Sequence, residues 1–212
     1  MLLLAFDTAT PAISVAVHDG SSVVAEATGE GAMAHGELLA PAIRTALERA
    51  GATPADLTDV AAGVGPGPFT GLRVGVVTAL TLGRTLGLTT HGVCSLDILA
   101  AEAASRFDTD FVVATDARRK EVYWGRFTAD GVRVSGPAVD FPDTVAALGL
   151  PVVGRGGVLY ADRLTSVEGA PLDPSAAALA GLVAGGNAVE LPLEPLYLRR
   201  PDATPQVAPK LA

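Results

Sequence analysis

Cysteine is almost missing: Cys94 stands alone among 212 residues, which forbids an intramolecular disulfide, and one thiol by itself makes no zinc site. A reducing cytoplasm fits that usage. Histidine is equally sparse, with His18, His35 and His91 scattered and no two at i, i+3 or i+4, so no metal site is inferred. Positive charge is also in deficit. With 15 Lys plus Arg against 23 Asp plus Glu, the net charge of −8 repels phosphate backbones and argues against unaided nucleic-acid binding. Long apolar runs are lacking. The opening Leu2-Leu3-Leu4-Ala5-Phe6 is too short for a signal-peptide core, follows no basic residue and runs directly into Asp7. The longest uncharged stretch, 174–189, falls short of the roughly 20 residues of a membrane span. No membrane span is expected.

What is present suffices for a folded core, since 49% of the residues are hydrophobic. Residues 2–6, 13–17 and 23–27 read as strands, the last two joined through Asp19-Gly20, a strong hairpin signal. A helix follows with Leu39, Ile43, Ala46, Leu47 and Ala50 at helical spacing and Gly51 placed to stop it, and Thr53-Pro54 opens a short second one. The strand at 60–64 leads into Gly65-Pro66-Gly67-Pro68, where Thr70 is a candidate cap for a helix from Gly71 to about Leu86. A strand at 89–93 and a helix capped by Ser95 complete this half. The polar connector at 106–110 marks the expected boundary, giving lobes at 1–106 and 107–212. The second set holds strands at 111–115, 122–127, 132–135 and 152–153, and helices at 143–148 and from Asp173-Pro174 to Ala184. The tail after Glu190 carries five prolines and reads as a strap or a partly disordered segment. Two related α/β lobes are expected.

Several loops could carry chemistry. Asp7-Thr8-Ala9-Thr10 ends the first strand, where a tight turn can offer N–H groups and hydroxyls to a phosphate while Asp7 orients a metal-bound water; ordinary turn residues would look the same. Asp116-Ala117-Arg118 is the matching candidate in the second lobe, or an exposed basic turn. Gly154-Arg155-Gly156-Gly157 could contact an adenine or ribose, although glycine equally serves a plain loop. The Gly63–Gly71 segment has no Walker lysine and fails the dinucleotide G-x-G-x-x-G pattern, so a rigid turn is favoured over phosphate contact. No G-x-S-x-G elbow exists.

Gly71, Gly75, Ala79, Gly83 and Gly87 recur every four residues, so one helix face is nearly bare. That face either packs against the chain's own sheet or receives a partner. The partner reading is favoured, with Gly71, Gly75, Thr78, Ala79, Leu82 and Gly83 joined by Leu96, Leu99 and Ala100 of the adjacent helix. On that reading Ala79→Trp abolishes pairing and leaves the chain folded.

The segments Leu4-Ala5-Phe6-Asp7-Thr8-Ala9-Thr10, Gly63 through Gly75, Asp116-Ala117-Arg118 with Glu121-Val122-Tyr123, and Pro195-Leu196-Tyr197-Leu198-Arg199 together resemble the TsaB family of bacterial tRNA threonylcarbamoyladenosine biosynthesis proteins. The resemblance spans nearly the whole chain. It implies a two-lobed actin-like, sugar-kinase-like fold (the ASKHA group, ribonuclease-H-like), with mixed sheets flanked by helices. It further implies a scaffold without catalysis or cofactor of its own, a homodimer when alone, that pairs with its paralogue TsaD through first-lobe helices. TsaD carries the transfer of threonylcarbamoyl to adenosine, TsaE joins through it, and tRNA, ATP and Mg enter only with the complex. TsaD's metal-binding H-x-x-x-H has no counterpart here. Asp7, Thr8, Thr10 and Asp116 then become candidates for a vestigial nucleotide site. The alternative is an active phosphotransferase using those four residues around a magnesium nucleotide, which requires a general base that the sequence does not single out.

Overall fold

Strand β1 (Leu3–Asp7) is buried at every position, and it runs through the middle of the first sheet of the computed structural model, which describes residues 1–30 and 35–199. β1 pairs antiparallel with β2 (Ala12–His18), with Phe6 opposite Val15, and β2 continues into β3 (Val23–Glu30). After helix α1 (His35–Ala50), β4 (Asp59–Gly63) returns parallel to β1, and α2 (Phe69–Leu86) crosses over to a parallel β5 (Thr89–Val93). Alternation across the pleat decides the layers. Leu4 and Phe6 point into a core with Leu39, Ala46 and Ala79 of α1 and α2, while Leu3 and Ala5 point the other way.

Helix α3 (Ser95–Ala103) is the seam between lobes. Its Leu96, Leu99, Ala100 and Ala103 pack against Phe111, Val113 and Phe127 of the second sheet. That sheet contains β6 (Phe111–Asp116), β7 (Val122–Phe127), β8 (Arg133–Asp140) and, after helix α4 (Pro142–Ala146), β9 (Val152–Val153), in the order β8-β7-β6-β9. Helix α5 (Arg155–Leu159) packs on β6.

The chain then goes back. Helix α6 (Ala176–Ala184) buries Ala176, Leu179, Ala180 and Val183 against Leu3, Ala5, Ala16 and Ala61, and β10 (Glu190–Leu191) pairs antiparallel with β5. The expected second lobe at 107–212 is therefore corrected: α6 and β10 belong to the first sheet, whose order is β10-β5-β4-β1-β2-β3. The physical reason is the uncovered β1–β2 face, which no earlier helix fills. At that edge His91 bridges two carboxylates, Asp59 at 3.1 Å and Glu190 at 2.7 Å.

Helix ends differ from the sequence reading in three places. α2 starts at Phe69 after Pro68, so Thr70 is inside the helix and not its cap. Ser95 likewise lies in the first turn of α3, with Cys94 as N-cap. α6 is capped by Ser175, whose Oγ accepts from the Ala178 N–H, and not by Asp173. From β10 onward the tail is a strap. The Leu196 N–H donates to the Val64 carbonyl, Tyr197 stacks on Phe69 at 5.2 Å, and Arg199 bonds the Ala117 carbonyl and the Glu121 carboxylate. Over residues 200–212 the expectation of a strap or a partly disordered segment lies outside the described residues.

Candidate functional site

A cavity of about 300 Å³ lies between the lobes. Ala9, Thr10, Pro11 and Pro68 line it from the first lobe, and Thr115, Asp116, Arg118, Arg155, Val158, Leu159 and Leu172 from the second. Two of the four expected nucleotide residues, Thr10 and Asp116, thus face one cavity across the lobes. The other two do not line it.

Asp7 is 1% exposed, and its carboxylate is occupied from within. Oδ1 accepts the Ala9 N–H at 2.7 Å and Oδ2 accepts the Ser95 hydroxyl at 2.6 Å. Ser95 Oγ in turn accepts the Gly65 N–H at 3.1 Å, so the strand end, the glycine-rich turn and the start of α3 are tied at one carboxylate. A Cβ on Gly63 would overlap Asp7 Oδ2, and one on Gly67 would overlap the Ala9 carbonyl. Gly63 thus lets the backbone lie against a carboxylate, and Gly67 lets it lie against another stretch of backbone. Thr8 Oγ1 donates to the Gly71 carbonyl at 2.8 Å, which uses its hydroxyl to hold the first turn of α2.

The second-lobe turn is different. Asp116 Oδ1 accepts the Arg118 N–H at 2.8 Å, Oδ2 pairs with the Arg118 guanidinium at 3.3 Å, and the Glu121 N–H closes the turn on the Arg118 carbonyl at 3.0 Å. Arg118, Arg119 and Lys120 all have positive φ, at 61°, 55° and 63°. Three successive L-residues in that region carry strain, because Cβ crowds the following carbonyl oxygen. From the far wall, Arg155 reaches Asp173 Oδ1 at 2.6 Å, and Gly156 lies against the Ala114 backbone. Of the flagged 154–157 loop, Arg155 lines the cavity directly.

The magnesium nucleotide of the phosphotransferase alternative fits this donor set poorly. The buried Asp7 already accepts from two of the chain's own donors, and Asp116 is engaged by Arg118. Among the described residues no group of three His, Cys, Asp or Glu side chains is placed to hold a metal ion. Among the described residues that line the cavity, Asp116 is the one candidate general base, and it is paired with Arg118.

The small-residue face of α2 needs a correction. Gly71, Gly75, Ala79 and Gly83 are all buried within the chain. A Cβ on Gly75 would overlap Thr8 Oγ1 and one on Gly83 would overlap Thr90 Cγ2, so the face lies on the chain's own sheet. Leu96, Leu99 and Ala100 have no exposed surface either, because α3 is enclosed between the lobes. Of the nine expected interface residues only Thr78 and Leu82 reach the surface, half-buried. Ala79→Trp would disrupt the core, and cannot test pairing. The outward ridge of α2 instead carries Arg73, Val77, Thr81 and Arg84. The sequence reading nominates none of these residues, nor Val158, Leu159 and Leu172 of the cavity wall; an apolar side chain beyond the small-residue stripe is the available signal for Val77.

The two lobes, each beginning with a strand, turn and antiparallel partner and meeting at a cleft, define a two-lobed α/β class built on mixed sheets. A family model described as TsaD, tRNA N6-adenosine threonylcarbamoyltransferase, matches residues 26–179. An uncharacterized protein of Mycobacterium tuberculosis is 44% identical over 96% of this chain and 94% of its own length. The tRNA threonylcarbamoyladenosine biosynthesis protein TsaB of Bacillus subtilis is 34% identical over 60% of this chain and 55% of its own. The solved structure of YeaZ from Pseudomonas aeruginosa superposes with a TM-score of 0.74 at 32% identity, covering 93% of this chain and 99% of that one. The chain belongs to the TsaD-type family, and it is similar to the proteins named TsaB and YeaZ.

Proposed function

We propose that the protein is a non-catalytic subunit of the machinery that places threonylcarbamoyl on a tRNA adenosine, acting by pairing with TsaD and, through it, with TsaE. Its TsaB relatives are named for that biosynthesis. The observation that carries the non-catalytic reading is the Asp7 carboxylate, bonded to Ala9 and Ser95 and closed to solvent. A group so engaged holds the lobe together and does not turn over a nucleotide. With net charge −8, tRNA is held by the assembly and not by this chain alone. ATP and Mg belong to the assembly as well.

The pairing surface on this reading is the outward ridge of α2, centred on Val77, which is 57% exposed in mid-helix, with Thr78 and Leu82 beside it. The same ridge serves self-association when the chain is alone.

Light scattering on the purified chain, alone and mixed with TsaD of the same organism, tests both statements. A self-dimer that gives way to a one-to-one heterodimer is expected, and Val77→Arg should weaken pairing at least about tenfold with an unchanged circular-dichroism spectrum. Pairing unaffected by Val77→Arg overturns the surface. No mixed species, together with ATP turnover by the chain that disappears in Asp7→Ala, overturns the subunit reading in favour of a phosphotransferase.

A further inference from the structure

The turn between β6 and β7 breaks a local rule with no return in stability. Arg118, Arg119 and Lys120 sit in the left-handed region, where glycine is at ease and a residue with a Cβ is strained, yet the chain keeps three long cations there. Strain held at an exposed turn points to a use for the side chains it carries. All three residues are exposed. Arg118 pairs with Asp116 through one nitrogen at 3.3 Å, and with its side chain 66% exposed the guanidinium has further N–H donors open to solvent.

The strap joins this turn to a second group. Arg199 bonds the Ala117 carbonyl and the Glu121 carboxylate, and two residues earlier Tyr197 stacks on Phe69 at 5.2 Å. Arg73 lies over the Phe69 ring at 3.7 Å, and its Nε donates to Tyr197 Oη at 3.1 Å. Both rings remain 39% exposed. Segments 69–73, 116–121 and 197–199 thus place five cations and two carboxylates along one edge of a chain whose net charge is −8. Charge elsewhere on the chain is screened beyond about 8 Å at physiological salt, so this edge presents its own sign to whatever touches it.

Cations alone would suit any anion, and the rings narrow the class. A carboxylate-rich protein segment would use the guanidinium and ammonium groups and leave Phe69 and Tyr197 idle. A single strand of RNA uses both, its phosphates on the cations and an unstacked base on the aromatic pair. We propose that this edge holds a single-stranded stretch of RNA, with Arg118, Arg119 and Lys120 on the phosphates and Tyr197 with Phe69 stacking a base. The source of that RNA rests on the subunit reading above, and the contact is a weak share of one that the assembly completes. Arg73 is common to this edge and the α2 ridge, so the tests fall on the turn and the strap.

The full chain is titrated with hexa-adenylate RNA and with an acetylated, amidated pentaglutamate of the same charge, while its backbone amides are followed by NMR. Saturable shifts in the 117–121 turn and at Leu196, Tyr197 and Leu198 are expected with the RNA. Its dissociation constant should be on the order of 100 μM at about 50 mM salt, and the peptide should bind at least about tenfold more weakly. The logarithm of affinity should fall against that of salt with a slope of about −2, as about three phosphate contacts on a single strand require. Lys120→Gly, a change the left-handed backbone favours, should bind about fivefold more weakly and lower that slope to about −1.4. It should resist urea no less than the parent chain, so lost binding is not lost fold. Tyr197→Leu should weaken binding about fivefold or more, and Tyr197→Phe should not. Peptide binding as tight as RNA binding assigns the edge to an acidic protein and overturns the proposal. Unchanged affinity in Lys120→Gly or Tyr197→Leu, or no saturation by about 5 mM RNA, overturns it as well. Pairing with TsaD, read by light scattering, holds or fails independently of these shifts, so failure of the subunit reading is told apart from failure of this one.

Discussion

The turns after β1 and after β6 occupy matching places in the two lobes, each leading from a first strand into its antiparallel partner, yet they are built in opposite ways. In the first, Asp7 and Thr8 are 1% exposed and bond inward, to Ala9, Ser95 and Gly71. In the second, Arg118, Arg119 and Lys120 stand exposed at positive φ. The first turn has become part of a core, while the second keeps an open, charged and strained edge on the cleft. The same position in a duplicated architecture thus does different work according to whether its carboxylate faces inward or outward.

The sharpest way to break this contrast is Gly63→Ala. The added methyl would overlap Asp7 Oδ2, so unfolding in urea should show a loss of about 4 kcal/mol or more, up to failure to fold. Near-normal stability would mean that Asp7 is free to move. Next comes the pair of isosteric changes. Asp7→Asn replaces one of two buried accepting oxygens by an NH2 donor and should cost about 2–3 kcal/mol, whereas Asp116→Asn, half-buried at the cleft edge, should cost under about 1 kcal/mol by the same measurement. Equal costs would erase the distinction between the turns.

A smaller effect follows from pH and should touch only the first lobe. Burial alone would lower the His91 pKa, but its bonds to Glu190 and Asp59 outweigh it and hold the imidazole above the ordinary 6.5. A folded-state pKa above the unfolded one stabilises fully below the unfolded value and is lost as pH rises through the folded value. Protection factors of β5 and β10 amides should therefore fall as pH rises above about 6.5, those of β6 and β7 should not, and His91→Gln should abolish the dependence. The smallest expected change is a gain: Lys120→Gly relieves one left-handed residue and should raise the unfolding free energy measured in urea by about 0.5–1 kcal/mol. No gain there would mean the turn is relaxed.

Much of this architecture is legible in the sequence, because strands and helices bury faces with fixed periods. The strands at 2–6, 60–64, 111–115 and 122–127 and the Asp19-Gly20 turn match the structure to within a residue or two. Asp7 and Asp116 also sit at strand ends, as their sequence context indicates. What periodicity does not encode is the partner of a face. The stripe of Gly75, Ala79 and Gly83 signals close approach, and only the fold shows that the approaching atoms belong to Thr8 and Thr90. Ser95 likewise reads as a cap, since its bond to Asp7 spans 88 residues of chain. Likewise, the return of α6 to the first sheet could not be read from local pattern, because an apolar helix states that it needs cover and not where.

That return also has a temporal side. Leu3, Ala5, Ala16 and Ala61 are covered by α6, and the free edge of β5 by β10, both made only after the entire second sheet. At a synthesis rate of about 5–20 residues per second, on the order of 5 to 20 s separates β5 from β10 on the ribosome. Over that interval the nascent first lobe carries a bare apolar face and an open strand edge, so it is during birth, more than in the finished molecule, that this chain is most in need of a chaperone.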